Sequence, residues 1–454
     1  MSRFDKAVWH TLAALGLLTA LLAWSGEQRG VTMLSRIPPP DAQEVSTRTS
    51  IQITFDRLMD ITRWSTESAS LSRFPLLIEP YVAGRLHWNN ATLTLTPSLP
   101  LAADTIYTIT LPEELRSLQG RPIAGERQWQ FTTRRPWLLY LASDQNDVMQ
   151  LTMLNLETNQ EQHLTHADDN VLDYAVSPDS TTIIYTVPNE DRGADIWNVE
   201  LESGKAMRVL KCGDVTCRHA VWSSNDARVV YERTSPAERH TRLWWLDVEQ
   251  GETLPVFEDA EQAGYGAGWS ADGTWLSYID PVHQELCLHN LKDGRSFGLP
   301  NQMGEPPVWH PRSNSLVFSD VLFRGEAMPV HLFRLDPEQG TVEDISGDLV
   351  DVRDHSPTWS PDGTWLACSR QSLGANIGRQ LVMMHLDDSD VFPLTRDPLF
   401  EHVSPIWSPD DRAVIFQRFS IHATTVPPEL WLADVRNGRL RRVASSGKQA
   451  AWLP

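Results

Sequence analysis

The sequence predicts an all-β protein, a β-sandwich followed by a seven-bladed β-propeller, with one hydrophobic helix at the N-terminus. Three observations predict it. Short runs of alternating apolar and polar residues occupy residues 31–135, a Trp-Ser-Pro-Asp-Gly segment recurs through residues 136–454, and a predominantly apolar run lies near the N-terminus. A chain of 454 residues is too long for one ordinary core, so these regions are expected to fold separately.

Arg3 and Lys6 precede an apolar run from Val8 to Trp24 that ends at Ser25-Gly26-Glu27, the order of charge, apolar core and polar flank that marks a targeting segment. Its 17 residues span roughly 26 Å as a helix, near the lower limit for crossing a bilayer. Residues 1–30 therefore read as a signal anchor, with the bulk of the chain outside the cytoplasm and a single pass through the cell membrane. Ala23 and Ser25 also fit a cleavage site, which would instead leave a secreted or periplasmic protein. Ile37-Pro38-Pro39-Pro40 reads as a stiff spacer leading from it.

A formal net charge of -20 repels phosphate backbones and excludes nucleic acid as a partner. Of the four Cys, Cys212 and Cys217 are close enough in Cys-Gly-Asp-Val-Thr-Cys to close a disulfide loop in an oxidising compartment. A metal clip on the same pair needs two further ligands that the local sequence does not offer. Cys287 and Cys368 fall inside strand-like runs and read as buried thiols.

In the first folded region Ile51, Ile53 and Phe55 alternate with polar residues, as do Leu93 and Leu95, and the run Ile106–Leu111 repeats the pattern. Turn-rich pieces separate these runs, which gives several short antiparallel strands and hence a sandwich. The segments Ile53-Thr54-Phe55-Asp56-Arg57-Leu58-Met59-Asp60, Leu93-Thr94-Leu95-Thr96-Pro97, Thr105-Ile106-Tyr107-Thr108-Ile109 and Trp129-Gln130-Phe131-Thr132-Thr133 resemble the bacterial Ig-like domain of the SbsA type. The resemblance implies a spacer or adhesion module over residues 31–135, without catalytic residues.

In the second region the repeat marker is whole at Trp359–Gly363 and varied at Trp222, Trp269, Trp309 and Trp407. Val176 takes the Trp place once and Trp452 ends the series, so neighbouring markers lie 40 to 50 residues apart. That interval is one four-stranded blade. A second strand marker, such as Leu243-Trp244-Trp245-Leu246-Asp247 or Leu430-Trp431-Leu432-Ala433-Asp434, recurs between them. Trp137–Tyr140 opens the array without a preceding marker strand, and Ala451–Pro454 is such a strand with nothing after it. The last strand is thus expected to complete the first blade and close a ring of seven. The Trp-Ser-Pro-Asp-Gly repeats resemble those of the TolB-like, WD40-like propellers. Within each turn Pro fixes φ, Asp bonds its own backbone and Gly takes positive φ, so the recurring carboxylates read as turn formers rather than calcium ligands.

The innermost strand of a blade lines the central channel, and its first residues stand at one mouth. Three to six positions ahead of each marker lie Asp173, Arg218, His219, Tyr265, Glu305, Asp354, His355, Glu401, His402 and Lys448. This polar ring is the expected ligand-binding site. His219, His355 and His402 are its candidate metal ligands. A similarity to oligogalacturonate lyases implies channel-mouth His residues that bind a metal. The nucleophile, zinc-protease, P-loop and dinucleotide motifs are all missing from the sequence. The expectation is a non-catalytic extracytoplasmic scaffold for an envelope or extracellular protein, peptide or glycan, without a cofactor. The alternative is a metal-dependent carbohydrate-active enzyme with its site at the channel mouth.

Overall fold

Alternation builds the strands of the first unit. Along Ile51–Phe55 every second side chain is buried, as is true of Thr92–Pro97 and Gln128–Thr133, because period-two strands bury one face. The computed structural model describes residues 30–453 except 63–74, 99, 224–227, 239, 324–327, 375–376, 387–390 and 424–425. The expected N-terminal helix therefore lies outside the described residues. Among those residues, no helix is long and apolar enough to cross a membrane. The chain divides into two compact units, residues 1–135 and 136–454.

The first unit is a sandwich of two four-stranded sheets. One runs Met33–Ile37, Ile51–Phe55, Thr92–Pro97, Gly84–Asn89, and the other Ala42–Val45, Gln128–Thr133, Ile106–Thr110, Leu77–Glu79. Ile51, Ile53, Leu93, Ile109 and Phe131, all fully buried, fill the space between them. Tyr107 stacks on Phe131 at 5.5 Å, and its hydroxyl accepts the Ala102 amide at 2.8 Å. The ring packs in the core while its polar end fixes the turn. Pro38–Pro40 proves not to be a spacer. It turns the chain from Met33–Ile37 at the edge of one sheet to Ala42–Val45 at the edge of the other, edges being where prolines without an amide hydrogen are tolerated.

The second unit is a succession of four-stranded antiparallel meanders. The marker lies in the first strand of each: Asp173–Val176, Thr216–Trp222, Tyr265–Trp269, Val308–Trp309, Val352–Trp359, Phe400–Trp407 and Lys448–Leu453. First strands of successive sheets lie side by side, and a single parallel bridge, Ala194 to Thr216 or Val330 to Arg353, joins two pairs of sheets. Lys448–Leu453 pairs with Trp137–Ser143, so the C-terminal strand completes the sheet begun by the N-terminal strands. The Tyr174 hydroxyl donates to the Gln449 carbonyl at 2.6 Å and ties the first strand of the next sheet to that closing strand. The sheet begun by Trp137–Ser143 is thereby completed on its inner side.

The recurring Trp residues join neighbouring sheets. The indole nitrogens of Trp222, Trp359 and Trp407 donate to the carbonyls of Ala175, Val308 and Thr358 in the preceding first strand, at 3.2 to 3.3 Å. Each carbonyl belongs to the residue just before that sheet's own marker, so the same bond recurs at three of the sheet junctions. Trp309 donates instead to the Ser277 hydroxyl at 2.9 Å. Within the turns Ser360 donates to Asp362 at 2.5 Å, Ser408 to Asp410 at 2.6 Å and Ser270 to Asp272 at 2.8 Å. The carboxylates are satisfied where they stand, as turn formers.

Candidate functional site

Five first strands slip register against their partners, between Arg218 and Val221, Tyr265 and Gly268, His355 and Thr358, Val403 and Ile406, and Lys448 and Ala451. The extra residue takes a left-handed conformation: His219 (φ 47°), Gly266 (63°), Ser356 (50°), Ser404 (52°) and Gln449 (52°). Each stands three residues before its marker Trp. A bulge at this place bends the strand and re-aims side chains, and His219, Ser356, Ser404 and Gln449 are exposed. Only glycine suits position 266, where an added Cβ would meet Pro306 Cγ at 2.6 Å.

Several of the expected ring residues turn out to hold these bulges. The Asp173 carboxylate accepts the His219 amide at 3.2 Å, the Thr186 hydroxyl at 2.8 Å and Arg218 Nε at 3.2 Å. Glu232 Oε1 accepts the Gly266 amide at 2.8 Å while its Oε2 accepts His219 Nδ1 at 2.8 Å. Glu305 Oε1 bonds His355 Nδ1 at 2.8 Å and also takes the Ser356 amide. Three carboxylates thus cap bulge amides of the next sheet, and charged acceptors make the stronger kind of hydrogen bond. Tyr265 adds a fourth link, its hydroxyl donating to the Gly304 carbonyl at 2.7 Å.

Electrostatics follow from the pairing. The hydrogen bond to Glu232 raises the pKa of His219 above its ordinary value. Burial works against ionisation of Glu305, but the bond and charge of His355, with the Ser356 amide, outweigh it and hold the carboxyl below its usual range. Burial, assisted by Glu232, pushes the Tyr265 phenol up.

Asp354, Glu401 and His402 lie apart from that belt. Asp354 is fully buried and accepts a bidentate pair from Arg370 at 2.7 Å each, plus the Ser346 hydroxyl at 2.8 Å. Glu401 accepts the Arg379 amide at 3.1 Å. His402 is fully buried; its Nδ1 donates to the Arg379 carbonyl at 3.0 Å and its Nε2 has no partner among the described residues. Burial lowers its pKa.

The three candidate metal ligands are thus not brought together. His219 turns to Glu232, His355 to Glu305 and His402 into the interior, and among the described residues no three His, Cys, Asp or Glu form a group able to hold a metal. Sequence spacing put them on equivalent strands, but each bulge sends its side chain to a different neighbour. Cys212 and Cys217 form a disulfide; Cys287 and Cys368 are free and buried. A cleft of about 710 Å³ lies elsewhere, lined by Trp365, Phe392, Arg396, Asp397, Asn437 and Leu440 among others, and none of the expected ring residues reaches it.

Sequence reading missed Glu232, which lies ten residues beyond its marker and reaches the ring only through its pairing with Arg218. It also missed the exposed apolar residues of the loops. Antiparallel meanders put the connections from second to third strand, and from each fourth strand to the next sheet, on the edge where first strands begin. In the second unit all exposed large apolar residues outside the strands fall on these connections: Val282, Phe323, Met328, Leu349, Val350, Leu399 and Val426. Among the described residues the opposite edge carries none.

Residues 27–133 match the family model described as bacterial Ig-like domain. The first unit carries a bacterial Ig-like domain. No curated protein matches the chain in sequence. Beyond the Ig-like domain the likeness is structural. The chain is similar to the oligogalacturonate lyase from Vibrio parahaemolyticus, at 17% identity and a TM-score of 0.51, over 66% of this chain and 87% of that one. It is similar to TolB from Acinetobacter baumannii at 13% identity and a TM-score of 0.45, over 87% and 86%. It is also similar to the β-propeller domain of the trilobed protease from Pyrococcus furiosus, at 13% and 0.48, over 76% and 95%. At such identities the lyase shares a fold with this chain and nothing finer.

Proposed function

We propose that the protein is a non-catalytic binding scaffold outside the cytoplasm, in which the Ig-like domain serves as spacer and a seven-bladed propeller presents the ligand-binding edge. The observation that carries this reading is the gathering of exposed apolar loop residues on one edge of the second unit, since contiguous apolar exposure marks docking surfaces. The polar ring supports it too, because Asp173, Glu232 and Glu305 are engaged in holding bulges. The blade count is supported by the repeat of first strands and by the shared closing sheet. An extracytoplasmic place is supported by the targeting pattern of residues 1–30 and by the Cys212–Cys217 disulfide, since disulfides persist in oxidising compartments.

A photo-crosslinking residue at Phe323, on the proposed edge, is expected to give a discrete protein or peptide adduct in the producing cell. The same probe at Met207, exposed on an outermost strand, is expected to give none. Equal labelling at both sites would overturn the scaffold reading. So would metal-dependent turnover of oligogalacturonate that His355→Ala abolishes, because it would establish the alternative of a carbohydrate-active enzyme.

A further inference from the structure

The same edge is divided by charge. From the first sheet through the connection ending at Gly264, its loops expose Asp168, Asp169, Glu190, Asp191, Glu258 and Glu261, among other acids, against only Arg192 and Lys211 among described exposed bases. Beyond that point the loops expose large apolar residues, with Phe323 69%, Val426 58%, Leu399 55% and Met328 52% accessible, and among the described residues the exposed acids thin to Asp348 and Asp351, on either side of Leu349 and Val350. Most exposed acids thus lie on one arc of the edge and the large exposed apolar loop residues on the other, Asp348 and Asp351 being the exceptions. An apolar arc gives affinity when covered, and an acidic arc beside it selects a positively charged neighbour and speeds its arrival.

Resting on the scaffold reading, we infer that the partner is a protein segment that is itself bipartite, with a Lys/Arg-rich half for the acidic arc and an apolar half for the arc around Phe323 and Leu399. The charge of the acidic arc disfavours anionic lipid surfaces and nucleic acid for the reason that it favours this segment. A cationic partner also fits the chain's formal net charge of -20.

The test uses the purified protein and three fluorescent peptides read by anisotropy. One carries a Lys-rich half and a Leu/Phe-rich half, the second has Glu in place of Lys, and the third is a scramble of the first. The first peptide is expected to bind most tightly, to weaken as salt is raised through the range where the screening length shrinks below about 10 Å, and to lose about tenfold in affinity on Phe323→Ser/Leu399→Ser. Substituting Asp168, Asp169 and Asp191 by Asn and Glu190 by Gln is expected to cause a comparable loss for the first peptide and none for the second.

Equal binding of the Lys and Glu peptides to the wild-type protein would overturn the inference without any variant. If Phe323→Ser/Leu399→Ser still loses binding in that case, the scaffold reading survives alone. If the apolar variant binds every peptide as the wild type does, the edge is not the docking surface and both readings fall. Retention on zwitterionic lipid vesicles that depends on Phe323 and Leu399, with no preference among peptides, would make the edge a membrane surface and would also overturn the inference.

Discussion

His219 Nδ1 lies 2.8 Å from Glu232 Oε2, and the other oxygen of that carboxylate accepts the Gly266 amide at 2.8 Å. One carboxylate therefore holds the left-handed residues of two successive sheets and ties those sheets at their inner strands.

Glu232→Gln is expected to lower the melting temperature by a few degrees, consistent with losing about 1–2 kcal/mol when a charged acceptor is replaced by a neutral one. The effect should depend on pH. Because the folded-state pKa of His219 is raised, its pairing contributes fully below the ordinary His value of about 6.5 and is lost as pH rises through the raised one. Melting curves at pH 5.5 and 8.5 should show the larger wild-type advantage at 5.5. An advantage that is equal or larger at 8.5 would contradict the pairing.

Gly266→Ala should cost more than Gly120→Ala. Both glycines have positive φ, at 63° and 76°, but an added Cβ meets Pro306 Cγ at 2.6 Å in the first and nothing within 4 Å in the second. Positive φ alone costs about 1–2 kcal/mol, and overpacking adds roughly 1–3 kcal/mol. Differential scanning of the two variants decides it, and equal losses would mean that Pro306 gives way.

Trp359→Phe should destabilise the second unit more than Trp269→Phe. The Trp359 indole donates to the Val308 carbonyl at 3.3 Å, whereas the Trp269 nitrogen has no partner among the described residues. Ring volume changes alike in both, so the difference isolates one hydrogen bond, about 1 kcal/mol. Chemical denaturation followed by near-ultraviolet dichroism measures it.

Thiol titration of the untreated protein should find no reactive cysteine when folded and two after unfolding. Cys212 and Cys217 are bonded to each other, and burial pushes the Cys368 thiol well up and the Cys287 thiol up to about 11, which removes the reactive thiolate. Cys212→Ser/Cys217→Ser should lose about 2 kcal/mol, the loop-closure value for so short a loop.

The sequence by itself determined the kinds of element and their order. Alternation at Ile51, Ile53 and Phe55 needs only period two to bury one face, and the Trp period needs only one indole per repeat packed against the neighbouring sheet. Both are local and repeated, so a linear reading finds them. The Cys212–Cys217 pairing was legible for the same reason, because a five-residue separation leaves the partners within reach of each other.

The tertiary structure alone decided what the ring residues do. Asp173 and His219 are 46 positions apart, Glu305 and His355 50, and which partner each side chain meets depends on a bulge that appears only once two strands are paired. Pairing also shows that Asp354 and His402 are buried and that the expected metal ligands diverge. The apolar and acidic arcs are fixed the same way: residues scattered from 168 to 426 share an edge only because antiparallel meanders return their loops to one side.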